Sequence, residues 1–289
     1  MWNNSKSLLQ TGVSLFCLCF ASLSWSAPAD WQKIKRPVPV EGKALAIGKY
    51  TNGCIIGAQP LPFKGTGFQT IRIIKNRFYG HPNMIAYLKH LGQRVHQAHL
   101  PDMLVGDIAM PAGGRFLTGH RSHQMGLDAD IWFRMGKMSK KEAYNPAGMA
   151  VLMVDRKTKK VIDEVWSKNQ EQLLKLAASD NQVARIFVNP AIKIKLCETV
   201  KGDRHWLHKI RPWFGHDAHF HIRLHCPKDA QYCTEQAPIP KGDGCDATLY
   251  SWLKPAPKKT GPSKPVVIPP PPPLCQQILT APNRSEWFE

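Results

Sequence analysis

Two stretches of the chain place histidines and aspartates where they could do chemistry. The first, residues 119–133, has His120 and His123 in a glycine-punctuated loop, followed by an alternating run that contains Asp128 and Asp130. Alternation with a period of two is typical of a half-buried strand, so the two carboxylates share the face opposite the core. A turn histidine and a strand aspartate can converge on one point, and a bound metal ion is a simple reason for such convergence.

The second stretch, residues 213–224, alternates in the same way and places His219 and His221 on one polar face. His221 then completes a set with His123 and Asp130. A His/Asp/His set is the composition of a catalytic zinc site that keeps its fourth position for water. Zinc lowers the pKa of such a water toward about 7, and His219 is placed to move its proton or to stabilise an oxyanion. The His-Glu-x-x-His pattern of other zinc peptidases is absent.

Short strands and helices must position these residues. Apolar periodicity predicts an α+β fold, with a small antiparallel β-sheet flanked by helices. The predicted strands cover 70–74, 103–110, 127–133, 184–188 and 217–225. The predicted helices start at residue 82 and cover 170–178 and 190–200.

The chain divides into three parts. Residues 1–27 have Lys6 before an apolar run that is shorter than the roughly 20 residues of a membrane span, and small residues follow. This pattern predicts a cleaved export signal and no stable membrane insertion. Residues 28–253 form the predicted catalytic domain. Residues 254–289 form a Pro/Lys-rich tail with five consecutive prolines, which is typical of extended polyproline.

The cysteine count indicates an oxidising compartment. Six cysteines remain after the predicted signal, and an even number in an exported chain favours disulfides. Three disulfides allow 15 connectivities, and the sequence does not choose among them. A cysteine zinc site is disfavoured because the chain has no Cys-x-x-Cys. The six are Cys54, Cys197, Cys226, Cys233, Cys245 and Cys275.

The net charge of +18 concentrates anionic partners near the protein. Nucleic acid, cell-wall polymers and anionic lipid surfaces all fit this charge. An exported metal-dependent phosphodiesterase is therefore one alternative, although two-metal phosphoesterases need more carboxylates than these motifs supply. A non-catalytic module that binds the cell wall is a second alternative.

Two histidine motifs carry a specific family resemblance. Ser-His-x-x-Gly-x-Asp-x-Asp spans 122–130, and His-x-x-His-x-His spans 216–221. Together with Asn52-Gly53-Cys54 and the glycine-rich run at 110–116, they resemble the penicillin-insensitive murein endopeptidases. This family belongs to the group that contains lysostaphin, the D-alanyl-D-alanine metallopeptidases and the hedgehog domain. The resemblance extends from about residue 31 to the C-terminus and implies that group's α+β fold.

The resemblance implies a periplasmic zinc endopeptidase that hydrolyses D-alanyl–meso-diaminopimelyl cross-links in peptidoglycan. Its partner would be peptidoglycan and not nucleic acid, and the sequence sets no oligomeric state. The ligands of one zinc ion per chain fall on His123, Asp130 and His221. His120 matches a further histidine near the metal, as a supporting residue or an additional ligand.

The resemblance also implies roles for residues that the spacing alone does not assign. His216 joins His219 as an active-site histidine, and Trp213 lines the site. A second metal site is not expected, because lysines occupy the region after the first motif where some relatives have an additional acid and histidine. The implied disulfides pair Cys54 with Cys275, Cys197 with Cys245, and Cys226 with Cys233.

Overall fold

The computed structural model of the protein describes residues 28–254 and 267–288. The strands in these ranges are β1 (Leu45–Lys49), β2 (Asn52–Ile56), β3 (Gln59–Pro60), β4 (Lys64–Gly65), β5 (Phe68–Thr70), β6 (Tyr79–Gly80), β7 (Met103–Val105), β8 (Asp128–Met135), β9 (Val154–Asp155), β10 (Lys160–Val161), β11 (Val183–Val188), β12 (Ile210–Pro212) and β13 (His219–Leu224). The helices are α1 (Pro28–Trp31), α2 (Pro82–Gln97), α3 (Lys140–Tyr144), α4 (Lys168–Ala178), α5 (Pro190–Thr199), α6 (Ala247–Ser251) and α7 (Pro273–Thr280). Short 3-10 helices cover Ile73–Lys75, His205–Lys209 and Arg284–Glu286.

Seven strands form one mixed sheet in the order β12-β11-β13-β8-β7-β5-β4. The pairs between β11 and β7 are antiparallel, whereas β11–β12 and β5–β7 are parallel. The predicted α+β class is confirmed, and its antiparallel centre is extended by a parallel pair toward each edge. The two long central strands, β8 and β13, carry the two histidine and aspartate motifs.

One face of the sheet packs against α2, α4 and α5. Apolar side chains from β8 and β13, among them Ile131 and Phe220, form a continuous buried cluster with Leu88 of α2 and Leu173 of α4. Full burial of an apolar side chain of this size contributes about 1.5–3 kcal/mol. This packing fixes which face of each central strand points away from the helices.

The opposite face carries a row of polar and aromatic residues that the register of the strands aligns. Asp130 pairs with His221, His221 with Phe187, and Phe187 with Arg211. Residues paired across neighbouring strands project to the same face, about 4.8 Å apart along the hydrogen-bonding direction. The row therefore runs across four strands, from β8 at the centre of the sheet to β12 at its edge.

Helix α2 starts where the sequence predicts. Pro82 occupies the first turn, where its fixed φ suits the helix and its missing N–H is not needed. The imidazole Nδ1 of His81 accepts a hydrogen bond of 3.2 Å from the backbone N–H of Asn83 and caps the helix.

The C-terminal segment packs on the N-terminal part of the chain. Helix α7 begins at Pro273, the last of the five prolines, and buries Ile278 and Leu279 in a second apolar cluster with Trp31 and Phe116. The disulfides are those that the resemblance implies: Cys54–Cys275, Cys197–Cys245 and Cys226–Cys233.

Two predicted strands are shorter than the sequence pattern indicates. The strand predicted over 70–74 is wrong beyond its first residue, since β5 ends at Thr70 and Ile73–Lys75 form a 3-10 helix. The strand stops because Arg72 turns into the left-handed region with φ 60° and its guanidinium pairs with Asp107. The strand predicted over 103–110 ends at Val105.

The predicted export signal, residues 1–27, lies outside the described residues, as does the part of the tail from 255 to 266. Among the helices within 28–254 and 267–288, none is long and apolar enough to cross a membrane.

Candidate metal centre

Four of the predicted residues meet at one point on the polar face of the sheet. His120, His123, Asp130 and His221 each present a nitrogen or oxygen atom, and these atoms all lie within 4.8 Å of one another. Asp130 is the centre of the group. Its Oδ1 lies 3.4 Å from His123 Nε2 and 3.2 Å from His221 Nδ1, and its Oδ2 lies 3.1 Å from His120 Nε2.

The hydrogen bonds of His123 fix its tautomer, and so determine that Nε2 presents a lone pair to this centre. Its Nδ1 lies 2.7 Å from the carbonyl oxygen of Ile108. A carbonyl only accepts, so Nδ1 carries the proton and Nε2 is left as a bare lone pair. His123 adopts φ 70°, and its backbone N–H donates to Asp128 Oδ2 over 3.0 Å, which holds this unusual conformation.

His221 is oriented in the complementary sense. Its Nε2 donates to Asp128 Oδ1 over 2.8 Å, so its Nδ1 lone pair points toward Asp130. A carboxylate that receives the outer N–H of a histidine fixes the tautomer and raises the basicity of the inner nitrogen. Arg223 donates to the same Asp128 oxygen over 2.7 Å. The two aspartates of β8 therefore have different tasks, since Asp128 orients a histidine and Asp130 faces the centre.

Three of the atoms that face the centre have no hydrogen-bond partner in the described ranges. His123 Nε2, Asp130 Oδ1 and His219 Nε2 are buried and, among the described residues, have no hydrogen-bond partner. A buried polar atom without a partner costs about 1–3 kcal/mol, so such atoms indicate a ligand that satisfies them. Imidazole and carboxylate donors are the set that zinc and other transition metals bind. The cluster can hold a metal ion.

His219 and His216 flank the cluster on its open side. His219 Nε2 lies 3.8 Å from Asp130 Oδ1, and the rings of His216 and His219 are 5.1 Å apart. His216 adopts φ 52°, and its Nδ1 donates to the carbonyl of Phe214 over 2.9 Å. Both histidines therefore lie next to the four candidate metal ligands but do not belong to that group.

Burial and neighbouring charges shift the pKa values of these groups. Burial, with His221 and His219, lowers the pKa of His216 to about 3. The charge of Asp130 raises the pKa of His120, but burial and the surrounding histidines lower it further, to about 4. Burial lowers the pKa of His219. These three imidazoles are therefore neutral at pH 7.

The two carboxylates stay ionised. Burial raises the pKa of Asp130, but the surrounding histidines outweigh burial and hold it well below its usual range. Burial also raises the pKa of Asp128, but Arg223 and His221 hold it below its usual range. In turn, Asp128 raises the pKa of His221 against the effect of burial. Asp130 therefore presents a negative charge to the centre of the cluster.

Sequence reasoning missed several residues that support the centre. Phe187 on β11 packs its ring 5.5 Å from His221 and 5.7 Å from Trp213, so it joins the cluster to the half-exposed tryptophan. Asp107 accepts hydrogen bonds from two arginines, and its carbonyl accepts the backbone N–H of Asp130 over 2.9 Å. The alternation of β11 points to Phe187, but no local signal marks Asp107.

Known proteins resemble this chain over nearly its whole length. A family model described as penicillin-insensitive murein endopeptidase matches residues 46–280. The chain belongs to this family. A penicillin-insensitive murein endopeptidase of Haemophilus influenzae is 62% identical over 286 residues, which cover 99% of this chain and 100% of the relative. One of Yersinia pestis is 48% identical over 256 residues, 88% and 91% of the two chains, and one of Salmonella arizonae is 45% identical over 272 residues, 93% and 97%.

Membership in the murein endopeptidase family confirms the predicted enzyme class, a peptidase. Helices flanking an α+β sheet and three disulfides agree with the predicted fold. The disulfides indicate an oxidising compartment. The family and the buried His/Asp cluster together support a metal-dependent hydrolase.

Proposed function

We propose that this protein is a periplasmic zinc endopeptidase that hydrolyses D-alanyl–meso-diaminopimelyl cross-links in peptidoglycan. His123, Asp130 and His221 are the proposed zinc ligands, with His120 as an additional ligand or a supporting residue. The observation that carries the proposal is the convergence of these residues with two imidazole lone pairs fixed toward one point. The family name, the disulfides and the +18 charge support an exported protein that works on an anionic wall.

The residues around the centre divide the chemistry. Bound zinc supplies Lewis acidity for the scissile carbonyl and a low pKa for a water molecule. His219 is neutral at pH 7, and its Nε2 has no hydrogen-bond partner within 28–254 and 267–288, so it can accept the proton of the attacking water and deliver it to the leaving amine. His216, also neutral, is close enough to His219 to hold the substrate or the developing oxyanion.

Asp128 and Arg223 do not face the centre themselves but hold the proposed ligand His221 in place. Asp128 is buried and keeps His221 in the tautomer with Nδ1 free, while Arg223 balances the second negative charge that the pair of aspartates creates. Trp213 is 52% exposed at the rim of the cluster, where it can pack on an extended peptide. No side-chain hydroxyl is needed as a nucleophile, which agrees with the family's insensitivity to penicillin.

The test is digestion of purified cross-linked muropeptides, followed by mass spectrometry, with and without a zinc chelator. We expect wild-type protein to release the D-alanyl and diaminopimelyl halves, and the chelator to abolish this release. His221→Ala should lose both zinc and activity, whereas His219→Ala should keep zinc and lose activity. These two variants each remove an imidazole ring from alternate positions on one face of the same strand, so each is the matched control of the other.

Near-normal turnover by His219→Ala would show that the assigned role of this histidine is wrong. Undiminished cleavage by metal-free wild-type protein would contradict the zinc mechanism. Parallel incubation with plasmid DNA separates the peptidase from the alternative phosphodiesterase, and retention on sacculi without peptide release would favour the wall-binding module.

A further inference from the structure

A groove of about 220 Å³ lies beside the metal cluster, between strands β11 and β12 and the segment 236–252. Arg185 and Arg211 line it, together with Trp213 and Trp252. The groove takes no part in the chemistry described above. Its lining of two guanidinium groups and aromatic rings is suited to an anionic group attached to a flat or apolar body.

The two arginines form no ion pair among the described residues. Arg185 donates to the carbonyl of Ala237 over 2.5 Å, but its Nε is buried and has no hydrogen-bond partner in the part of the chain that the structure describes. Burial lowers the pKa of both arginines. A carboxylate that enters the groove and pairs with these partly buried guanidinium groups would stabilise them.

The acid that lines the groove caps a helix, and its charge also acts on Arg211. Asp246 caps α6, where its Oδ1 accepts from the backbone N–H of Thr248 over 2.9 Å and from its hydroxyl over 2.5 Å. Gln236, a second polar residue of the lining, accepts from Arg223 over 2.6 Å. The groove therefore keeps a net positive lining.

Aromatic rings connect the groove to the metal cluster. Phe187 contacts the ring of His221 at 5.5 Å, Trp213 lies 5.7 Å from Phe187, and Trp252 lies 6.1 Å from Trp213. A substrate that reaches the cluster can thus follow one continuous wall into the groove.

We propose that this groove is a subsite that binds a carboxylate of the peptide substrate, with Arg211 as the residue that determines this specificity. The inference rests on the proposed peptidase function. Arg211 is two strands away from His221 in the cross-strand row, which is roughly 10 Å between the backbones. An extended peptide covers that distance in about three residues, so the recognised carboxylate lies two or three residues from the scissile amide.

Arg211 is a better determinant than Arg185. Arg185 donates to a backbone carbonyl of the rim, whereas the Arg211 side chain makes no hydrogen bond with the described residues. A planar guanidinium can bind a carboxylate through two parallel hydrogen bonds, and a lysine cannot reproduce this fork.

The experiment compares kcat/KM for a cross-linked muropeptide with free carboxylates and for the same compound with those carboxylates amidated. We expect amidation to lower kcat/KM of the wild-type protein about 10-fold or more, the range of a lost charged hydrogen bond. Arg211→Gln should cleave the free acid about 10-fold more slowly than wild type and should discriminate little between the two substrates. The kcat/KM of Arg211→Lys for the free acid should lie between the values of wild type and Arg211→Gln.

Lys241→Gln is the matched control, because it removes one exposed positive charge from the same rim without lining the groove. It should keep the wild-type preference for the free acid. Equal cleavage of both substrates by wild-type protein, or an unchanged preference in Arg211→Gln, would overturn the subsite and leave the peptidase intact. Failure of wild-type protein to cleave either substrate would instead contradict the peptidase function, and the subsite with it.

Discussion

The two ends of the polar row on the sheet are built by different means. At the metal end, Asp130 and His221 face each other across two long antiparallel strands in the middle of the sheet, and both are buried. At the groove end, Arg211 belongs to the three-residue edge strand β12. Central strands fix their side chains through hydrogen bonds on both sides, whereas an edge strand relies on whatever covers it.

Long-range contacts fix the groove end. The disulfide Cys197–Cys245 joins α5 to the rim, and Lys193, fully buried, donates to the carbonyl of Asp243 over 2.5 Å and to that of Leu207 over 2.8 Å. The proposed chemistry therefore lies at the centre of the sheet, and the proposed recognition of the substrate lies at an edge that a disulfide holds in place. Changes at the two ends should therefore have separable effects.

The largest effect is expected from Asp128→Asn at the metal end. This change removes the charge that pairs with Arg223 and leaves one acceptor oxygen where the carboxylate has two, so the side chain cannot accept from both His221 and the backbone N–H of His123. We expect zinc affinity to fall about 10–100-fold. The free energy of unfolding should fall by about 3–5 kcal/mol, because a buried guanidinium loses its partner. Chelator competition and urea unfolding measure the two quantities.

Asp203→Asn is the control for this change, because it removes an aspartate charge from an exposed position. It should leave zinc affinity unchanged and the free energy of unfolding within about 0.5 kcal/mol of wild type. Wild-type zinc affinity in Asp128→Asn would show that Asp128 does not orient His221.

Removing the disulfide at the groove end should have a similar effect on the free energy of unfolding but a smaller effect on metal binding. The paired serine variant at Cys197 and Cys245 opens a loop of 48 residues, which corresponds to about 4 kcal/mol by the chain-entropy relation. The variant should keep its zinc and lose preference for the free-acid muropeptide. Zinc content, urea unfolding and the ratio of kcat/KM values report these outcomes.

The paired serine variant at Cys226 and Cys233 provides the comparison. It opens a loop of only 7 residues, for about 2 kcal/mol, away from the groove. It should keep the substrate preference. If the first variant loses zinc but keeps its preference, the division of the molecule into two ends is wrong.

The smallest effect concerns His216, which lies between the two ends. In the folded, metal-free protein the pKa of His216 is about 3, below its ordinary value near 6.5. The unfolded chain therefore binds more protons between these values, and stability falls as pH decreases from about 6.5 toward 3. His216→Asn should reduce the slope of the unfolding free energy against pH by up to one proton in this window, measured by urea unfolding in a chelator.

His96→Asn removes an exposed imidazole and is the control with which the slope of His216→Asn is compared. The same slope in His216→Asn and wild-type protein would show that the ring of His216 is not held neutral by its surroundings.

The sequence predicts the metal end well, because its signals are local. Alternation along β8 and β13 places Asp130, His219 and His221 on the polar face, and the structure agrees. The sequence also treats that face as open, whereas Trp132 is buried on it in a third small apolar cluster. Periodicity distinguishes two faces of a strand but does not show what covers each.

The groove end and the sheet's other edge depend on residues far apart in the chain. The strand predicted over 70–74 stops early because Arg72 pairs with Asp107, 35 positions away. The alignment of Arg211 with Phe187 likewise requires the parallel pairing of β11 and β12. No window of sequence contains these partners, so tertiary contacts decide the outcome.

The most direct test of the account is the zinc-edge X-ray absorption spectrum of the protein loaded with one zinc ion per chain. We predict a coordination sphere of nitrogen and oxygen atoms only, at about 2.0–2.1 Å, with the multiple scattering of two or three imidazole rings. A sulfur shell near 2.3 Å, or oxygen ligands without imidazole scattering, would contradict the assignment of His123, Asp130 and His221 as the metal ligands.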